Sequence, residues 1–168
     1  MSLPSRGRIR LIRGVISTDD IIPGKYKHMF VDPGELAKHV FENNCPDLGA
    51  RLSNDDVLIG DSIFGIGSSR EQAPASLLAA GVAVVIAPRF GRIFYRNAWN
   101  VGLPLIEAFV PHDETEEGSY IDIDWERGSF MTAARTGRFF PPSPHLVAIT
   151  RAGGLIAHLK ANYANAVR

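Results

Sequence analysis

Apolar and amphipathic segments alternate through the middle of the chain. Residues 56–64 and 82–87 are rich in β-branched side chains and predict strands. The second run is apolar at every position, as in a strand buried on both faces. Residues 70–80 and 92–101 predict helices, and residues 103–108 predict another strand. This order of strand, helix, strand, helix, strand predicts an α/β fold with a parallel sheet covered by helices.

The pattern before this region predicts one strand and one helix. The strand is expected over residues 8–16, where Ile9 and Leu11 face inward. Asp32 is a good N-cap for the helix, and Pro33 suits its first turn. A polar loop therefore separates the first strand from the first helix.

The pattern after this region predicts a smaller, different architecture. Residues 120–133 predict a β-hairpin, and residues 146–163 predict two helices divided by the glycines at 153–154. We find no clean domain boundary. We therefore expect a single domain over residues 1–168, with residues from about 145 to 168 forming a C-terminal helical extension.

Composition narrows the class of protein. The chain has 168 residues, 45% of them hydrophobic, and its 18 basic and 18 acidic side chains balance. This composition is that of a globular protein, and zero net charge gives no global attraction to nucleic acid or to an anionic membrane. The longest uncharged run, residues 77–88, is too short to span a bilayer. Residues 1–13 lack the features of a signal peptide, so a cytoplasmic location is expected. The acidic cluster at residues 113–117 predicts a solvated loop, and a surface that faces a basic patch on a partner is the alternative.

The chain has one cysteine, Cys45. It therefore has no internal disulfide and no zinc site or iron–sulfur cluster built from several of its own cysteines. The five histidines are scattered, and none has a partner at the spacing of a metal site. No metal site is predicted in this chain.

The densest chemical signal is the segment 64–74, with the sequence FGIGSSREQAP, between a predicted strand and a predicted helix. Gly65 and Gly67 permit a tight turn whose backbone, with the helix start, forms an anion site. Arg70 is able to hold a carboxylate through two parallel hydrogen bonds. Nearby N–H groups and positive charge favour the alkoxide form of a serine here, and such a serine, Ser68 or Ser69, is able to take a proton from a carbon next to a carboxylate.

Ser68 has a structural role as its alternative. Ser68 and Glu71 have the spacing of a capping box, and capping is the commoner role of a serine before a helix. The glycines do not form a dinucleotide-binding fingerprint, because Arg70 stands where the third glycine belongs. They do not form a phosphate-binding P-loop either, since no Gly-Lys-Ser/Thr follows.

Four segments, in order along the chain, resemble one family. Residues 64–74 are similar to the Gly-x-Gly-Ser-Ser-Arg-Glu-x-Ala-Pro signature of the aconitase-type swivel domain. Residues 17–26 resemble its polar loop, 83–104 its valine-rich strand and following helix, and 152–156 its Ala-Gly-Gly-Leu helix. The strongest resemblance is to the separate small subunits of 3-isopropylmalate dehydratases and homoaconitases. It implies an α/β swivel domain with a mainly parallel sheet, a small β-hairpin and a C-terminal helical extension.

The resemblance also implies an activity. Enzymes of this family are hydro-lyases that interconvert isomeric hydroxy acids by removing and re-adding water. A [4Fe–4S] cluster, held by a separate large subunit, acts on the leaving hydroxyl, so this chain binds no cofactor and is inactive alone. The implied substrate pair is 3-isopropylmalate and 2-isopropylmalate, a step of leucine biosynthesis. Homoaconitate, citrate-like acids and methyl-substituted malates are alternatives. An alternative of another class is a swivel module that binds a ligand without catalysis.

Site residues follow from the resemblance position by position. Ser68 matches the general base of the family. Ser69 and Arg70 match contacts to the substrate carboxylate, and Thr18 and Asp19 match the polar loop at the pocket edge.

The residues after Tyr26 match the segment that contacts the variable end of the substrate. Lys27 and His28 indicate a polar or acidic end group, whereas Met29 indicates an apolar one. The sequence therefore leaves the choice of substrate open.

Overall fold

The computed structural model describes residues 2–29 and 32–166, and the side chains of residues 27, 28 and 163–166 lie outside that description. Its strands are β1 (Arg6–Ile12), β2 (Ile16–Ser17), β3 (Asp56–Gly60), β4 (Ile63–Ile66), β5 (Val82–Ala87), β6 (Arg89–Phe90), β7 (Leu105–Glu107), β8 (Tyr120–Asp124), β9 (Ser129–Met131) and β10 (Thr136–Arg138). Its α-helices are α1 (Thr18–Ile21), α2 (Pro33–Ala37), α3 (Pro46–Arg51), α4 (Gln72–Ala79), α5 (Arg92–Val101), α6 (Pro144–Arg151) and α7 (Leu155–Ala166). Two short 3-10 helices span Gly24–His28 and His112–Glu114.

The strands form two sheets. The larger sheet has seven strands in the order β10-β9-β8-β1-β3-β5-β7, and the smaller one has the order β2-β4-β6. Strands β1, β3, β5 and β7 are parallel, and so are the three strands of the small sheet. The predicted α/β fold with a mainly parallel sheet is confirmed. The predicted hairpin also forms, but it extends the main sheet because β8 pairs antiparallel with β1.

Each strand of the small sheet continues a strand of the large one. The predictions of single strands over residues 8–16 and 56–64 are therefore wrong, because the chain bends in each and changes sheet. The two bends are joined by a hydrogen bond of 2.7 Å from the Gly14 amide to the Asp61 carboxylate. As a result, the loop that follows β4 lies beyond the carboxyl ends of the central strands, where open α/β sheets bind ligands.

The core has two parts, one on each face of the large sheet. Alternate residues of β3 divide between them, with Leu58 in one cluster and Val57 and Ile59 in the other. Helices α4 and α5 complete the first cluster with residues such as Leu77 and Trp99. Strand residues, including those of the β8–β9 hairpin, fill most of the second cluster.

The C-terminal helices pack against α5, the helix that borders the candidate site. Helices α6 and α7 both contact α5, and they are divided at Gly153 and Gly154, as predicted. No helix within the described residues has both the length and the apolar character needed to cross a membrane. The single-domain boundary at residues 1–168 stays a prediction.

A buried ion pair network joins β1 to the start of β3. The Asp56 side chain is fully buried and accepts hydrogen bonds from Arg8 Nε at 3.0 Å and Arg10 Nε at 2.9 Å. It also accepts one from the Ser53 amide at 2.9 Å. Because charged groups are buried only at a large desolvation cost, removing one partner leaves the others uncompensated.

Asp56→Asn tests this network. The amide keeps the volume of the side chain but removes the negative charge, so we expect the free energy of unfolding to fall by about 3–5 kcal/mol. The measurement is urea unfolding followed by circular dichroism. Asp122→Asn is the matched control, because Asp122 pairs with Arg6 at 3.6 Å on the surface, and we expect a change within about 0.5 kcal/mol. Equal midpoints for the two variants would contradict the assignment.

Candidate active site

Two glycines shape the turn after β4. Gly65 has φ +77° and Gly67 has φ +103°, both in the left-handed region that favours glycine. A Cβ at Gly65 would lie 2.2 Å from Cγ of Phe94, and one at Gly91 would lie 2.2 Å from the Gly65 carbonyl oxygen. The tight turn predicted from the sequence is therefore present, and its backbone packs directly on α5.

Ser68 and Ser69 follow the glycines and are exposed. The Ser68 carbonyl accepts a hydrogen bond of 3.2 Å from the Thr18 hydroxyl, while its own hydroxyl makes none among the described residues. The capping-box alternative is wrong, because α4 begins only at Gln72 and its N-cap, Glu71, has no side-chain hydrogen bond. The Ser68 hydroxyl is therefore free for another role.

Arg70 lies beneath this turn with only 12% of its side chain exposed. Its Nη1 donates to the Asp19 carboxylate at 2.6 Å and to the Ile22 carbonyl at 3.1 Å. Its Nε is buried and has no partner in the part of the chain that the structure describes. The structure therefore brings Asp19 and Arg70 together and leaves one edge of the guanidinium group, Nε and Nη2, unpaired.

Thr18 and Asp19 lie in α1, a single helical turn where the sequence predicts a loop. Ser17 caps this turn by accepting a hydrogen bond of 3.1 Å from the Asp20 amide, and Asp20 returns one by accepting from the Ser17 amide at 2.7 Å. Thr18 is buried and Asp19 is exposed. The capping box thus directs Thr18 toward the Ser68 backbone and Asp19 toward Arg70.

Lys27 and His28 are the remaining predicted site residues. Their backbone lies in the 3-10 helix Gly24–His28, but their side chains lie outside the described part of the structure. Gly24, at the start of this helix, lies next to the Asp19–Arg70 pair, since a Cβ there would be 3.3 Å from Arg70 Nη2. The segment therefore borders the site through its first residue.

An open cleft of about 470 Å³ lies between the turn and α5, and its lining includes Gly65, Gly67, Arg92 and Arg96. Both arginines are exposed and have no ion-pair partner within residues 2–29 and 32–166. Neither arginine is among the site residues predicted from the sequence. The signal that points to them is their spacing of four residues at the start of a correctly predicted helix.

Metal ligands do not cluster in this region. Among the described residues there is no group of three or more His, Cys, Asp or Glu side chains placed to hold a metal ion. Cys45 is half-buried and packs against the first hydrophobic cluster. The polar groups of the site are thus hydroxyl, guanidinium and carboxylate groups, which suit the binding of an organic acid.

Gly65→Ala tests the close approach between the turn and α5. We expect it to lower the free energy of unfolding by about 1–3 kcal/mol more than Gly118→Ala does, because only the first places a methyl group against a neighbour. Gly118 is the matched control, since its φ of +86° is also left-handed and its Cβ would meet nothing within 4 Å. Chemical unfolding of both variants gives the comparison, and equal losses would contradict the packing argument.

Comparison with known proteins agrees with this geometry. Residues 17–108 match the family described as the aconitase C-terminal domain. The 3-isopropylmalate dehydratase small subunit of Aquifex aeolicus is 41% identical over 169 residues, covering 98% of this chain and 99% of that protein. The methanogen homoaconitase small subunit of Methanothermobacter thermautotrophicus is 41% identical over 155 residues, covering 91% of this chain and 89% of that protein.

A solved structure gives the same result for the fold. The crystal structure of a 3-isopropylmalate dehydratase from Methanocaldococcus jannaschii superposes with a TM-score of 0.87 and 34% identity, covering 97% of each chain. The resemblance inferred from the four sequence segments is confirmed. The chain belongs to the aconitase C-terminal domain family, and within it to the group of dehydratase small subunits.

Proposed function

We propose that this chain is the small subunit of a two-subunit hydro-lyase that isomerises 3-isopropylmalate and 2-isopropylmalate by dehydration and rehydration. The observation that carries the proposal is the exposed hydroxyl of Ser68, which caps no helix, on the same turn as Arg70, whose side chain is 12% exposed and only partly paired. The relatives named 3-isopropylmalate dehydratase small subunit support the choice of reaction. Leucine biosynthesis is the corresponding pathway.

The residues of this chain perform the proton step. Arg70 binds a carboxylate of the substrate through its unpaired Nη2, because Nε is buried, with Ser69 as a second contact. The carbon next to a carboxylate is then placed at Ser68, whose Oγ removes the proton as general base and returns it during rehydration. Thr18 holds the Ser68 backbone, and Asp19 holds Arg70 at 2.6 Å.

The metal chemistry belongs to a partner in this proposal. Within the described residues there is no set of metal ligands, and Cys45 packs against the core, so this chain does not fit a cluster. The large subunit is proposed to hold a [4Fe–4S] cluster, which supplies a Lewis acid for the leaving hydroxyl. The proposed partners are the large subunit and a small 2-hydroxy acid. Neither nucleic acid nor a membrane is proposed as a partner, and the proposed location is the cytoplasm.

The substrate has one close competitor. The homoaconitase small subunit matches this chain with the same identity, 41%, as the Aquifex dehydratase subunit. Homoaconitate has an additional carboxylate, for which Lys27 and His28 are the proposed contacts. A panel of isopropylmalate, homoaconitate, citrate and methyl-substituted malates, assayed with the reconstituted two-subunit enzyme, distinguishes these acids.

Ser68→Ala removes the proposed base. We expect turnover by the reconstituted enzyme to fall by about 10²–10⁴-fold, the usual contribution of general base catalysis. We expect assembly with the large subunit to stay unchanged, as measured by size-exclusion chromatography. Ser5→Ala is the control, because Ser5 precedes β1 and so lies at the opposite end of the parallel strands. Turnover at the wild-type rate in Ser68→Ala would refute the role of Ser68.

Arg70→Lys keeps the positive charge and removes the planar fork. We expect kcat/KM to fall by about 10–100-fold, because a charged hydrogen bond contributes about 1.5–3 kcal/mol. Steady-state kinetics on the reconstituted enzyme measure this. Arg127→Lys is the control, since the Arg127 side chain is 83% exposed and pairs only weakly with Asp124 at 3.7 Å. An unchanged kcat/KM in Arg70→Lys would contradict carboxylate binding by Arg70.

A further inference from the structure

The carboxylate of Glu42 contacts three side chains. It accepts hydrogen bonds from Lys25 Nζ at 2.8 Å and from the Tyr26 hydroxyl at 2.7 Å, and its contact with His39 Nδ1 is 2.7 Å. The Tyr26 and His39 rings are stacked with centroids 4.0 Å apart. The cluster therefore ties the 3-10 helix Gly24–His28 to the chain that follows α2.

A backbone contact in the same place strengthens this tie. The Phe41 amide donates to the Ile21 carbonyl at 3.0 Å, and Phe41 is fully buried with φ +58°. A bulky residue adopts this left-handed conformation only where its surroundings hold it. Residues 39–42 therefore hold residues 21–26 through one backbone hydrogen bond and through the side-chain contacts of Glu42.

Residues 21–26 also contact Arg70. The Ile22 carbonyl accepts from Arg70 Nη1 at 3.1 Å. Gly24 lies so near the pair that a Cβ there would be 3.2 Å from Asp19 Oδ1 and 3.3 Å from Arg70 Nη2. A shift of residues 22–24 would therefore move one acceptor of the guanidinium group and the backbone surface beside it.

We propose that Glu42 is a positioning residue, which sets the orientation of Arg70 by holding residues 22–26 in place. The proposal rests on the proposed function, in which Arg70 binds a substrate carboxylate. Glu42 does not touch the substrate or Arg70 itself. Glu42 holds Lys25 and Tyr26, and these residues fix the backbone of residues 22–24. That backbone in turn contacts the guanidinium group.

The charge of Glu42 suits a permanent anchor. Hydrogen bonds from Lys25, Tyr26 and His39 lower the pKa of Glu42 to about 2. A carboxyl group with a lowered pKa stabilises the fold above its ordinary pKa, and this contribution is lost only as the pH falls through the lowered value. The anchor is therefore fully ionised at the pH at which enzymes of this kind are assayed.

The test uses Glu42→Gln in the reconstituted two-subunit enzyme, with Glu35→Gln as the matched control. Glu35 pairs with Lys38 on the surface of the same region and has no contact with residues 22–26 among the described residues. We expect Glu42→Gln to raise KM by about 10-fold, with kcat within about 2-fold, because carboxylate binding weakens while Ser68 is intact. Glu35→Gln leaves both constants unchanged.

Hydrogen–deuterium exchange gives a second readout that does not depend on activity. In Glu42→Gln we expect faster exchange in peptides covering residues 21–26, and unchanged rates there in Glu35→Gln. Tyr26→Phe keeps the ring stacked on His39 and removes only the hydroxyl, so it gives a smaller rise in KM of about 3-fold. This variant also keeps the test valid if Glu42→Gln folds poorly.

Each outcome decides the proposal. Faster exchange together with a raised KM supports it. Faster exchange with an unchanged KM overturns the positioning role, and unchanged exchange overturns the anchor. A fall in kcat alone also overturns it. Failure of the proposed function is recognised separately, as a reconstituted enzyme that acts on none of the acids in the panel, and the positioning role then falls with it.

Discussion

The backbone of Gly65 lies closer to helix α5 than any side chain would allow. A hydrogen bond of 2.8 Å from the Gly91 amide to the Phe64 carbonyl fastens β4 to the start of this helix. Phe94 then fills the space where a Cβ of Gly65 would be. The chain then leaves the small sheet toward Thr18, whose hydroxyl donates to the Ser68 carbonyl at 3.2 Å. The position of the candidate base is thus a consequence of backbone packing.

Local signals predicted the elements in which local and tertiary preferences agree. The β-branched run of β5 and the helix α5, ended by Gly102 with φ +90°, have the predicted bounds. Bends between sheets were missed, because the bond between Gly14 and Asp61 joins residues far apart in sequence. The expected solvated loop is wrong at Glu117 for the same reason. Its carboxylate accepts from the Leu11 amide at 2.6 Å and lies 3.6 Å from Arg10.

The candidate site shows the same division between local and long-range information. The turn with Ser68 and Arg70 was recognisable from its residues, and so was the separate segment with Thr18 and Asp19. The capping box was a false local signal, since the helix starts at Gln72, four residues after Ser68. The actual capping box lies in α1, where Ser17 and Asp20 form it. The cluster around Glu42 was not predictable, because Glu42 and Tyr26 lie 16 residues apart on separate segments, and periodicity relates only residues of one element.

The unpaired groups of the site lie on one short turn. Buried polar atoms are normally hydrogen-bonded, and Asp56 follows that rule, because Arg8, Arg10 and Ser53 all donate to its carboxylate. Arg70 is one of several side chains that depart from it: its Nε is buried without a partner among the described residues, as are single atoms of Trp99, His112, Glu117, Arg135 and Thr150, although Nη1 donates to Asp19 at 2.6 Å. Ser68, two residues earlier, has a hydroxyl that makes no hydrogen bond to the residues the structure describes. A rigidly held guanidinium group with an unpaired edge beside an unused hydroxyl is the arrangement expected where a bound acid completes the hydrogen bonding.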